Sequence, residues 1–88
     1  MPLFKGPGYL MRKENKKLLL KNIGNNLKKQ RGQGRLTQEQ LGERANVNYK
    51  YIGEIERGEK NPTAVILYKL TRALGISVEA LFPENDGY

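Results

Sequence analysis

The chain has no cysteine and no histidine, and its 88 residues include one serine, Ser77, and one aspartate, Asp86. Without cysteine there is neither a disulfide framework nor a thiolate metal site, which suits a reducing cytoplasm. Without histidine, and with a single Ser and a single Asp, catalytic triads, His–carboxylate bases and zinc sites are out of reach. The sequence therefore predicts no enzyme activity, no metal and no cofactor. Gly32-Gln33-Gly34 is not followed by the Lys-Ser/Thr that a phosphate loop needs and reads as an ordinary loop. Long apolar runs are missing too. Leu18-Leu19-Leu20 is the longest near the N-terminus, far too short for a signal-peptide core or a membrane span, so the expectation is a cytoplasmic protein with no membrane partner.

Acidic residues are scarce in one part of the chain only. Residues 1–34 hold nine Lys/Arg against Glu14 alone, a balance of +8, whereas residues 35–88 hold seven basic and eight acidic groups, a balance of −1. A basic N-terminal third can follow a phosphate backbone, with affinity that falls steeply as salt is raised; the alternative is that these lysines solvate an arm and a helix face. A chain of this length is one domain with a modest core, and dimerisation would relieve its marginal stability.

The most informative stretch is Thr37–Gly58, TQEQLGERANVNYKYIGEIERG. Thr37 is a helix cap with Gln40 completing a capping box, and Leu36 and Leu41 stand at staple spacing. Leu41 and Ala45 then share an inward face, and Asn46 suits the left-handed turn that stops the helix. The grammar repeats with Asn48 as cap, Val47 and Ile52 as staple, Ile52 and Ile55 facing in, Arg57 in the last turn and Gly58 as the stop. Two short helices joined by so tight a turn fit a helix-turn-helix.

Around this pair the chain reads as all helical. Residues 1–15 form a Pro/Gly-rich basic arm without periodicity, in which Met11 offers an alternative start. Residues 16–83 form the domain, and 84–88 are a frayed tail. A first helix from about Lys17 to Arg31 carries Leu20, Ile23 and Leu27 on one face, with Gly24 weakening its middle. Pro62 opens a fourth helix with Ile66, Leu67, Leu70 and Leu74 inward, which stops at Gly75. Ser77 caps a short fifth helix with Ile76 and Leu81 as staple, and Pro83 ends it. Tyr68 is core, surface or interface. Val78, Leu81 and Phe82 offer more apolar area than a short helix can hide, so they serve a two-fold interface unless Phe82 folds back on the first helix.

The residues T-Q-x-x-L at 37–41, V-N-Y-K-Y-I-G-E-I-E-R-G at 47–58 and Pro62 resemble the Cro/C1 (Xre-type) helix-turn-helix family of small DNA-binding regulators, over about residues 23–82. Two positions depart from the family pattern, Gly42 where Ala is usual and Asn46 where Gly is usual. The resemblance implies a five-helix, lambda-repressor-like fold and a dimer on double-stranded DNA. It places the second helix of the pair, about 48–57, in the major groove with Asn48, Tyr49, Lys50 and Tyr51 at the base edges. There Lys50 can donate to guanine O6 and N7, and Tyr49 can meet a thymine methyl or donate a hydrogen bond. Tyr51 is open between groove contact and scaffold packing. Gly53 and Glu54 fall one turn on along the same outward side, where Glu54 accepts from a cytosine amino group, repels misplaced phosphates or is merely solvated. The resemblance further assigns Gln38, Lys60 and Asn61 to phosphates and Arg31 and Glu56 to a partly buried ion pair, with a phosphate contact as the other reading of Arg31.

The functional expectation is a sequence-specific regulator of transcription of the kind found among phage repressors, restriction-modification controllers and stand-alone regulators. An antitoxin that neutralises a partner protein and controls its own operon is the alternative from a different class. Nonspecific nucleic-acid binding through the Lys-rich arm is the third.

Overall fold

The computed structural model describes residues 13–83, and among these every regular element is helical. The order is α1 (Lys13–Gln33), α2 (Gln38–Ala45), α3 (Tyr49–Glu56), α4 (Ala64–Leu74) and a 3-10 turn, Val78–Leu81. The expected five-helix fold is thus four α-helices and a 3-10 turn, which stands in place of the fifth helix. The segment is too short for α-helical pairing, and Pro83 holds Phe82 in extended backbone, with φ −98° and ψ 149°. Ser77 occupies the cap position of this turn, but its hydroxyl makes no capping hydrogen bond.

α1 begins at Lys13, earlier than Lys17, and runs on through Gly32 to Gln33. Of the expected arm, residues 13–15 are helical, while residues 1–12 and the tail 84–88 lie outside the described residues. The left-handed turn after α1 falls on Arg35, at φ 60°, whose neighbour Leu36 returns its amide to the Arg31 carbonyl at 3.1 Å.

The two central helices start and stop by local chemistry. Thr37 Oγ1 accepts from the Gln40 amide at 3.0 Å, and the Thr37 amide donates to Gln40 Oε1 at 2.8 Å. α2 stops where Asn46 turns left-handed at φ 57°, and α3 opens with the Lys50 amide donating to Asn48 Oδ1 at 2.8 Å. α3 ends at Glu56. Gly58, at φ 77°, makes the reversal that lets its own amide reach the Ile55 carbonyl and the Glu59 amide reach that of Glu54, both at 2.9 Å. Pro62 is not the first residue of α4. It is buried one position before Thr63, whose hydroxyl accepts from the Ile66 amide at 3.1 Å and is the true cap.

α3 lies against α1 and α2, α4 closes over α2, and the 3-10 turn lies against α1 and α4. The core is Ile23, Leu27, Leu41, Ala45, Val47, Ile52, Ile55, Leu70 and Leu81, with Leu67 and Leu74 only partly buried beside it. Asn26 fastens the C-terminal turn by donating to the Leu81 carbonyl at 3.0 Å.

Gly24, which weakens α1 by propensity, is what allows α1 and α3 to cross. A Cβ there would run into the Ile55 carbonyl oxygen and stand 2.6 Å from that of Glu56. Gly42 does the same for the turn, since a Cβ would stand 2.6 Å from the Val47 carbonyl oxygen. Gly32, by contrast, has nothing within 4 Å of where its Cβ would be. A Gly→Ala change inside a helix ordinarily gains up to about 1 kcal/mol. Gly32→Ala is expected to gain part of that, whereas Gly24→Ala is expected to lose at least about 1–3 kcal/mol through overpacking against backbone. Urea unfolding of the two variants checks the opposite signs; equal shifts would show that α1 and α3 do not touch at Gly24.

Candidate nucleic-acid interface

The outer surface of α3 is built around an ion pair at its inner end. Arg31, at the end of α1, sets its fork on Glu56, with Nε at 2.7 Å from Oε2 and Nη2 at 3.0 Å from Oε1. The side chains are 15% and 4% exposed, so the pair is largely withdrawn from water. The hydrogen bond to Glu56 raises the Arg31 pKa above its ordinary value, and desolvation opposes it. Nη1 of Arg31 also donates to the Leu36 carbonyl at 2.9 Å, which ties the start of α2 to the same group.

Gln38 completes this cluster. Its Nε2 donates to Glu56 Oε1 at 3.0 Å. A carboxylate only accepts, so the amide must turn its NH2 inward and lay its oxygen along α3. That oxygen lies over Gly53, where a Cβ would meet Gln38 Oε1 at 3.3 Å. Gly53 is therefore not exposed beside Glu54 but covered, and its missing side chain is the notch that seats Gln38. The expected phosphate residue Gln38 is thereby anchored to α3 before any ligand arrives.

Of the residues expected at base edges, Tyr49 and Lys50 are exposed on the first turn of α3. Lys50 makes no ion pair among the described residues. Asn48 is exposed as well, with its side-chain oxygen committed to the cap. Tyr51 is partly buried and packs against the core, which favours the scaffold role. Glu54 is half-buried, and Lys60 and Asn61 are exposed in the loop between α3 and α4.

Arg57 is the residue that sequence reading assigned only to the helix dipole. It stands seven positions after Lys50 and four after Gly53, on one side of the helix. Its Nη1 lies 3.3 Å from where a Gly53 Cβ would be, beside Gln38. Nε and Nη2 donate to the Glu59 carboxylate at 2.9 and 3.2 Å. The hydrogen bond raises the Arg57 pKa and lowers that of Glu59, so the pair stays charged below the usual carboxylate range. Both side chains are more than half exposed, at 59% and 52%, so the pair adds little to stability and keeps a guanidinium in place on the surface. The spacing from Lys50 was the signal available for it. Lys50 and Arg57 thus present cationic donors on one side of α3 beside the anchored Gln38 amide, the chemistry that phosphates and the acceptor edges of guanine require, and Lys60 and Asn61 stand exposed in the loop that follows. Among the described residues there is no cluster of three or more metal-ligating acidic side chains and no helix long and apolar enough to cross a membrane.

Residues 27–81 match the helix-turn-helix family model. An uncharacterized HTH-type transcriptional regulator of Sinorhizobium fredii is 39% identical over 67 residues, covering 75% of this chain and 87% of that one. The immunity repressor protein of Bacillus phage phi105 is 40% identical over 63 residues, 72% of this chain and 44% of the repressor. In three dimensions the chain is similar to the restriction-modification controller protein C.AhdI from Aeromonas hydrophila, with a TM-score of 0.70 and 35% identity over 72% of this chain and 96% of that one. The chain belongs to the helix-turn-helix family, in its Cro/C1 type, a family of DNA-binding regulators of transcription.

Proposed function

We propose that the protein is a cytoplasmic, sequence-specific regulator that binds a palindromic operator as a homodimer, with α3 of each protomer in the major groove. The observation that carries this reading is the exposed first turn of α3, where Tyr49 and Lys50 project beside a Gln38 fixed by the Arg31–Glu56 pair. A cation at that place can donate to guanine O6 and N7, while Gln38, Arg57, Lys60 and Asn61 grip phosphates on either side and set the register. Occupying an operator in this way blocks polymerase or recruits it. The similarity to a restriction-modification controller protein and to a phage immunity repressor supports the reading as a regulator.

The dimer reading rests on the edge formed by α4 and the 3-10 turn. Val65 and Tyr68 of α4 are 63% and 62% exposed, and Val78 and Phe82 are exposed as well. Tyr68, Val78 and Phe82, together with Leu67 and Ile76, border an open apolar groove. Phe82 also borders a second recess with Leu19 and Leu20 of α1, so only part of its ring is left for a partner. A second copy brought together through this edge would place two α3 helices on half-sites about 34–36 Å apart.

Selection of duplexes from a random library tests the whole reading: a two-fold symmetric consensus supports it, and winners without common sequence overturn it. Binding only in the presence of a protein partner would point to the antitoxin alternative. On the selected duplex, Lys50→Ala is expected to cost about 1–3 kcal/mol and to relax preference at one base position. Unchanged preference in a competition assay removes Lys50 from the reading head. Tyr68→Glu with Val78→Asp is expected to sediment as a folded monomer that keeps half-site contacts but loses the gain from the second half-site. An unaltered sedimentation coefficient excludes this edge as the interface.

A further inference from the structure

The longest helix carries a second charged surface. Lys17, Lys21, Gly24, Lys28 and Arg31 follow one another at alternating spacings of four and three, so they form one stripe along α1. Three contacts fix where the stripe faces. Gly24 lies under the Ile55 and Glu56 carbonyls of α3, the stem of Lys21 lies against Gly58 just past α3, and Arg31 holds Glu56. The stripe therefore borders the C-terminal end of the groove-facing helix. Lys16, beside it, shares a recess with Asn61, so the edge continues into the loop that holds Lys60.

Lys17, Lys21 and Lys28 are exposed and make no ion pair among the described residues. Glu56, the carboxylate bonded to the stripe, is already neutralised by Arg31. Lys17 and Lys21 are like charges at i and i+4, which repel and weaken a helix left to itself. Such an arrangement is relieved by a polyanion lying across it, and the polyanion that the neighbouring helix approaches is DNA.

We propose that this stripe of α1 binds backbone phosphates flanking the bases read by α3, extending the footprint outward from each half-site. Lys17 and Lys21 precede residues 27–81 that match the family model, and Lys28 and Arg31 lie within them. The inference rests on the reading of α3 as the groove helix. The contacts are to phosphate alone and carry affinity and salt dependence without sequence preference. A purely structural role is the rival: the lysine stems would cover Gly58 while their ammonium groups offset the C-terminal dipole of α3.

The test uses the full chain with Lys17, Lys21 and Lys28 all changed to Gln, and Lys29→Gln as control, about 100° away around the helix from Lys28. Fluorescence anisotropy follows binding to the duplex selected by the unaltered chain and to a scrambled duplex across a salt series. The slope of log affinity against log salt is expected to flatten by about 2–3 per bound protomer in the triple variant, equally on both duplexes, and by less than about one in the control. An unchanged slope overturns the proposal, and so does a triple effect no larger than that of Lys29→Gln. A lowered urea midpoint with the slope intact overturns it in favour of the dipole role. An unaltered chain that shows no preference between the duplexes defeats the reading of α3, while the slope still decides the stripe.

Discussion

Glu56 sits at the end of α3 with its carboxylate almost out of water, and a charge so placed has to be met by donors. Three arrive from two other helices or their edges: Nε and Nη2 of Arg31 and Nε2 of Gln38. Satisfying one buried group therefore fixes α1, α2 and α3 against one another at a point close to the exposed face. Arg31 also holds the Leu36 carbonyl, so the entry to α2 is drawn into the same cluster. The geometry of the surface thus depends on this desolvated carboxylate as well as on the apolar core.

Small residues determine how closely the helices approach. At Gly24 the backbone of α1 comes against carbonyl oxygens of α3, and at Gly53 the amide of Gln38 lies on the helix where a side chain would be. Both contacts bring polar groups into register with the Glu56 cluster. The consequence for function is preorganisation: Gln38 and Arg57 are held beside Lys50 without a ligand, so less ordering remains to be done when one binds.

What could be read from the sequence is what is decided locally. Thr37, Gln40, Asn46 and Asn48 act through hydrogen bonds within four residues, and the structure shows those caps in place. Val47, Ile52, Ile55 and Leu70 are buried as their periodicity requires. The errors fall where a distant element intervenes. Gly24 looked like a weak point and is a crossing point, and Gly53 looked outward-facing and lies under Gln38. Pro62 drew attention as a helix opener, although Thr63 next to it carried a stronger cap. The last helix was over-read because Ser77 and the Ile76–Leu81 spacing suggest a full helix, while Pro83 acts on the residue before it and leaves room for only a 3-10 turn. At the site, the Arg31–Glu56 pair entered through family resemblance alone, since residues 25 apart have no local rule that joins them. Arg57 was missed because its neighbours on the outer face are set by the depth of Gly53.

The protein thus reads as a frame and a face: a buried carboxylate bonded by Arg31 and Gln38 holds three helices, and the first turn of one of them stands exposed at the surface. The frame can be tested directly by the double-mutant cycle of Arg31→Met and Glu56→Met, followed by urea unfolding. Each single change is expected to cost about 3–5 kcal/mol because it strands the other charge, and the double change to cost little more than either one. Costs that simply add would contradict the claim that the two groups depend on each other.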